Sequence, residues 1–240
     1  MSIGLNVISG LTAVGLAAGG CAYAALWPGS QIFGSTLIAP CKPGEIALTF
    51  DDGPNPAWTP TLLELLDRHG AKATFFLVGK YLSEQSVLTR LIANSGHTIG
   101  NHSWSHPNLA LTPLPKVREE LRNTSDTIEQ IIGKPVRHFR PPFGARRPAV
   151  LRAARDLDLT PVLWNTMTND WSEPSADRIA AALSAQVDRL HHRGSAANIV
   201  LHDGGHLNPR ANREPSITAA GKLLGRYAAT RKFVTVDAWS

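Results

Sequence analysis

Beyond residue 44 the sequence alternates short apolar runs with longer amphipathic stretches, and this alternation restricts the possible folds more than any other feature. The runs at 45–50, 72–78, 97–100, 137–139, 160–164, 197–201 and 233–236 predict strands. Between them, 59–69, 83–95, 115–132, 147–156, 175–191 and 215–230 carry helical periodicity. Gly70 stops the first of these helices and Ser83 is the expected cap of the second. Strands apolar on both faces, each followed by a helix, pair in parallel and are covered on both sides. The expected fold is therefore an α/β sheet or barrel. No internal repeat or low-complexity linker interrupts the alternation, and 240 residues suit one substantial domain. Hydrophobic residues at 43% against 18% charged rule out a disordered chain.

The amino terminus follows different rules. No charged side chain precedes Lys42, and 7–27 is a run of apolar and small residues of about membrane-spanning length. It reads as a membrane anchor or as a cleaved signal peptide, with Ala22-Tyr23-Ala24 as the cleavage-like site. Its Gly and Ala content and the lack of a leading Lys or Arg fit both readings poorly, and a buried helix of the soluble fold is the alternative. A lipidation site at Cys21 is a further, weaker match. The division expected is 1–41 as signal or anchor with a short linker, and 42–240 as one folded domain of an exported protein, membrane-anchored, secreted or periplasmic. The net charge of +5 suits an anionic partner or simple solubility. No Lys/Arg block marks a nucleic-acid surface, so nucleic acid is excluded as a partner. Cys21 and Cys41 are the only cysteines, too few for a disulfide framework or a thiolate zinc site.

The chemistry-bearing residues fall just after predicted strands: Asp51 and Asp52, His102 and His106, Arg140, Asp170 and His202. In a parallel barrel all such positions gather on one face, where active sites are built. Two adjacent carboxylates on the turn Asp51-Asp52-Gly53-Pro54 repel one another in a desolvated site unless one meets a cation and the other a basic partner. An Asx turn ahead of Gly-Pro is the other use of such a pair. His102 and His106 are four residues apart and would share a metal if they turned the same way, although Pro107 works against helical geometry at His106. Two histidines with one carboxylate leave coordination positions open for water and substrate. His69, His97, His138, His191 and His192 read as structural, and His206, in a polar loop, stays outside the expected site.

These residues lie in five ordered segments: Thr49-Phe50-Asp51-Asp52-Gly53-Pro54, His102-Ser103-Trp104-Ser105-His106-Pro107, Arg140-Pro141-Pro142-Phe143-Gly144, Asp170-Trp171 and Leu201-His202-Asp203. In that order they resemble the motifs of the polysaccharide deacetylases, the NodB-homology carbohydrate esterases, over 42–240. The resemblance implies a distorted (β/α) barrel of seven parallel strands holding one divalent ion, Zn²⁺ first, with Co²⁺ or Ni²⁺ as alternatives. It implies Asp52, His102 and His106 as metal ligands and Asp51 as the general base, oriented by Arg140. His202, titrating near neutrality, would be the general acid. The Phe143 N–H would stabilise the oxyanion, and Trp171 and Leu201 would wall the acetyl pocket. Two positions depart from the family pattern. Met167 stands where many members carry an aspartate that orients the catalytic histidine, which leaves Asp170 or another residue to serve His202. Phe143 replaces the usual tyrosine, at a position where the implied contact is from backbone.

The function expected is removal of N-acetyl groups from an N-acetylglucosamine polysaccharide, chitin-like or peptidoglycan, by metal-activated water. An O-acetyl esterase on acetylated xylan is the alternative, since an ester needs His202 less. A carbohydrate-binding pseudoenzyme is disfavoured by retention of every catalytic residue type.

Overall fold

A computed structural model describes residues 19–240. At its centre lies β1 (Glu45–Gly53), buried along almost its whole length. Parallel neighbours flank it: β2 (Thr74–Leu77) on one side and β7 (Ala197–His202) on the other. Beyond β2 come β3 (Thr98–Asn101), β4 (His138–Phe139) and β5 (Thr160–Pro161); beyond β7 lies β6 (Thr166–Met167). The seven strands on this path are parallel and curl into a distorted, incompletely closed barrel. A short β8 (Lys232–Val234) lies off the path and pairs with the start of β1.

The seven path strands are thus not quite those expected. The single strand predicted at 160–164 is divided: its start pairs with β4, and β6, just beyond it, pairs with β7. The chain crosses from one edge of the sheet to the other through 162–165, where Leu163 O and Asn165 N are tied to Asn198. Pro161, which has no N–H to donate, sits on the edge strand where such a residue is tolerated.

The helices α1 (Thr59–Arg68), α2 (Ser86–Asn94), α3 (Leu114–Ile132), α4 (Pro148–Arg155), α5 (Ala176–His192) and α6 (Glu214–Tyr227) cover the outside of the sheet. Their inward faces, such as Leu62, Leu63 and Leu66 of α1 and Leu223 and Leu224 of α6, join Ile46, Leu48 and Phe50 of β1 in one core. Ser175 caps α5, accepting from the Arg178 N–H. The predicted cap at Ser83 fails: α2 starts at Ser86, after Gln85, with no side-chain cap. The chain ahead of it is held elsewhere, because the Gly79 and Lys80 N–H groups donate to Ser103 and Trp104 carbonyls. Gly79 is required there, since a Cβ would stand 2.5 Å from the Trp104 ring.

Of the apolar run 7–27, residues 7–18 lie outside the described residues. Residues 19–26 are helical, and among the described residues no helix is long and apolar enough to cross a membrane. Ala24 is buried. Buried Arg146 ties the following chain to the barrel, donating to the Ala25, Trp27 and Ser30 carbonyls. Further along, Leu37 bridges to Val162, and Pro40 O accepts from the Ala196 N–H.

Candidate active site

The carboxyl ends of β1, β3, β4, β6 and β7 converge on a cavity of about 340 Å³. Asp51 and Asp52 close β1, where the register with β2 slips between Asp51 and Gly53. Asp52 takes a left-handed conformation, φ 68°. A bulge of this kind re-aims successive side chains, so the two carboxylates reach different partners instead of repelling side by side. Asp51 Oδ1 accepts from Arg140 Nη1 at 2.8 Å, and that nitrogen also donates to Thr49 Oγ1 at 2.7 Å. Arg140 is fully buried, its guanidinium 4.2 Å from the Phe76 ring centroid.

The loop after β3 is an irregular turn, not a helix, with Ser103 at φ 63° and His106 at φ 62°. Glu120 of α3, itself buried, holds this turn by accepting from Ser105 N and Oγ at 2.7 and 2.8 Å. The Asn101 side-chain oxygen also accepts from the Ser103 N–H. The Nε2 atoms of His102 and His106 lie 3.6 and 3.2 Å from Asp52 Oδ1, all three residues being buried.

This donor set fits a divalent cation. His102 Nδ1 is 2.8 Å from the Arg140 carbonyl, an acceptor, so Nδ1 carries a proton and Nε2 is the ring atom turned towards Asp52. Asp52 Oδ1 is buried with no hydrogen-bond donor. Acceptors facing one another without a proton between them are favourable only around a cation. Asp52, His102 and His106 are the cluster of this kind among the described residues, their ligand atoms within 4.8 Å of one another. Burial alone would raise the Asp52 carboxyl, but His206, His102, His106 and His202 outweigh it and hold it well below the usual range. Burial also pushes the His106 imidazole down to about 3, and the neighbouring His102 adds to this, so the ring stays an unprotonated ligand.

His202 ends β7 beside Asp51 and lines the same cavity. Asp170 accepts from the His202 N–H at 2.8 Å and pairs with its Nδ1 at 2.9 Å. Ser216 Oγ donates to Asp170 at 2.7 Å and fixes the carboxylate. Burial pulls the His202 ring down, but Asp170, with smaller help from Asp52 and Asp51, pushes it up to about 9. That value lies above the near-neutral titration expected from the sequence. Asp170 occupies the place that Met167 left open. Met167 instead lines the cavity, its sulfur 2.8 Å from Trp164 Nε1.

Phe143 sits at the cavity mouth in a left-handed conformation, φ 59°, its ring edge-on to His106 at 4.7 Å. Trp171 stands edge-on to His202 at 5.1 Å. Leu201 is placed differently from expectation. Neighbouring strand residues face opposite sides, so with His202 turned to the cavity Leu201 enters the main core, and Val200, Trp164 and Met167 line the wall. Asp203 accepts from the Thr59 hydroxyl, and burial pushes its carboxyl up to about 7. His206, left out of the expected site, lies in the cavity wall. Its only signal in the sequence is the preceding Gly204-Gly205, which permits a close loop.

The model of the polysaccharide deacetylase family matches residues 39–162, which carry the whole Asp-His-His cluster, Asp51 and Arg140. The chain belongs to this family. A chitooligosaccharide deacetylase of Azorhizobium caulinodans is 36% identical over 160 residues, 66% of this polysaccharide deacetylase chain and 73% of its own. The solved structure of a peptidoglycan N-acetylglucosamine deacetylase superposes with a TM-score of 0.74 at 32% identity, covering 84% of this chain and 90% of the other. A family 4 acetyl xylan esterase from Clostridium thermocellum, solved in complex with a cobalt ion, gives a TM-score of 0.71 at 30% identity, covering 81% and 89%. The Asp170–His202 pair lies beyond residues 39–162.

Proposed function

We propose that this chain is a metal-dependent hydrolase that removes N-acetyl groups from N-acetylglucosamine units of a glycan, chitin-like or peptidoglycan. The observation that carries the reading is that Asp51, paired with Arg140, and His202, paired with Asp170, line one cavity with the Asp-His-His cluster. An amide releases an amine, a poor leaving group unless it is protonated as the bond breaks, whereas an ester does not need this. A histidine held protonated at neutral pH supplies that proton and favours the N-acetyl substrate over acetylated xylan. A divalent ion held by Asp52, His102 and His106, with Zn²⁺ preferred over Co²⁺ or Ni²⁺, would lower the pKa of a water to about 7 and polarise the acetyl carbonyl. Asp51, kept in place by Arg140, takes the proton of the attacking water. His202 then delivers its proton to the departing nitrogen. The Phe143 N–H serves the oxyanion, and Trp171 bounds the acetyl pocket. A polymeric cell-wall substrate agrees with a place outside the cytoplasm, which the uncharged stretch 1–41 also supports.

The test is acetate release by the full chain from N-acetylglucosamine oligomers, peptidoglycan and acetylated xylan, together with thermal unfolding with and without Zn²⁺. Zn²⁺ at a hundredfold excess over its Kd adds about 2.7 kcal/mol, which raises the Tm of a domain this size by roughly 5–10 °C. We expect that rise in the wild type and not in Asp52→Asn, and release from the two N-acetylated substrates abolished in both Asp52→Asn and His202→Ala. Release from xylan alone would overturn the substrate, and an unchanged Tm would overturn the metal.

A further inference from the structure

His206 belongs to none of the five motifs, yet it touches two of the three candidate metal ligands. Its ring stacks on that of His106, with centroids 4.2 Å and planes 19° apart. Its Nδ1 lies 3.5 Å from Asp52 Oδ2, the carboxylate oxygen other than the one facing the His102 and His106 Nε2 atoms. The position is built rather than left to a free loop. The His206 carbonyl accepts from Lys80 Nζ and Tyr81 Oη, each at 2.7 Å, and Arg213 Nε donates to the Gly204 carbonyl at 2.6 Å. Gly204 is pressed so closely against β1 that a Cβ would stand 2.0 Å from the Asp52 carbonyl oxygen. Any other residue there would push the loop, and His206 with it, off the site.

We propose that His206 is a positioning residue of the metal site: its Nδ1–H holds Asp52 Oδ2, so that Oδ1 is presented to the ion, and its ring fixes the plane of His106. This rests on the assignment of Asp52, His102 and His106 as ligands. His102 has its outer partner in the Arg140 carbonyl, whereas His106 Nδ1 is buried with no hydrogen-bond partner, so stacking by His206 replaces the missing bond. Such outer partners are worth about 10–100-fold in metal affinity, because they remove the freedom a ligand would otherwise lose on binding. His206 is not a fourth ligand, since the ligand atoms that lie mutually close are those of Asp52, His102 and His106.

The experiment is Zn²⁺ affinity of the full chain, by competition with a chromophoric chelator, for the wild type, His206→Ala, His206→Phe and Asp52→Ala, with Co²⁺ absorption spectra of the same proteins. His206→Ala should bind Zn²⁺ about 10–100-fold more weakly, with Co²⁺ band positions retained and the metal-free Tm unchanged. His206→Phe, which keeps the stack and loses the donor, should fall between. Wild-type affinity in His206→Ala would overturn the proposal. A displaced Co²⁺ spectrum with a far larger loss would overturn it in favour of direct ligation. If the wild type binds no better than Asp52→Ala, the ligand assignment itself fails, and the inference with it.

Discussion

Asp170 accepts the backbone N–H and the ring of His202 at once and is itself held by Ser216. A carboxylate with these bonds fixes both the tautomer and the charge of the imidazole. The folded protein therefore favours protonated His202 up to about 9, above the ordinary 6.5. Activity that needs this proton persists through the neutral range and is lost as the pH rises through about 9. In Asp170→Asn the largest raising influence is gone while burial still lowers the ring. The alkaline limb of kcat against pH should then move to lower pH, and kcat at neutral pH should fall about 10²-fold. A profile from pH 6 to 10 for both proteins checks this, and an unmoved limb would remove Asp170 from the mechanism. Met167, bonded instead to Trp164, leaves the orienting role to Asp170.

At the scale of elements, the site depends on backbone held out of regular geometry by distant side chains. Glu120 of α3 braces the His102–His106 turn, and Arg146 joins residues 25–30 to the loop that carries Phe143, since it also donates to the Gly144 carbonyl at 3.0 Å. A buried guanidinium with four carbonyl acceptors has no substitute in a smaller side chain. Arg146→Ala leaves those acceptors unpaired and should cost about 2–4 kcal/mol, at 1–3 kcal/mol per unsatisfied buried group with partial rescue by water. Urea unfolding measures the loss, and limited proteolysis should cut first between 19 and 40. Unchanged stability with an unchanged cleavage pattern would show that this segment is not anchored by Arg146.

For the molecule as a whole, the barrel is also pH-sensitive at the end opposite the site. His97, immediately before β3, is buried edge-on to Phe75 with Nδ1 accepting the Ala73 N–H at 3.2 Å. Burial first, and then Lys72, push its pKa down to about 4. Between about 4 and 6.5 the unfolded chain binds this proton and the folded chain does not. Stability therefore falls as the pH drops through that window, by up to about 1.4 kcal/mol per pH unit for this one group. Urea midpoints at pH 7.5, 6, 5 and 4.5 should show the slope, with a shallower one in His97→Gln. Equal slopes would mean that His97 already titrates in the folded state.

The order of strands and helices was legible because a buried parallel strand must be apolar on both faces and a covering helix on one, which leaves periodic marks in the chain. Asp51, Asp52, His102, His106, Arg140 and His202 were legible because each ends such a strand, where side chains of distant segments meet. What tertiary structure alone decided involves contacts between residues far apart in sequence. It divided the strand predicted at 160–164, because the chain must cross from β4 to β7 to curl the sheet. It sent Leu201 into the core once His202 faced the cavity, and gave Asp170 to His202 through packing against α6. It brought His206 against Asp52 and His106, because Lys80, Tyr81 and Arg213, none adjacent to it in the chain, hold its loop in place. Local periodicity records which face a residue buries, and only the folded chain settles which partner it meets there.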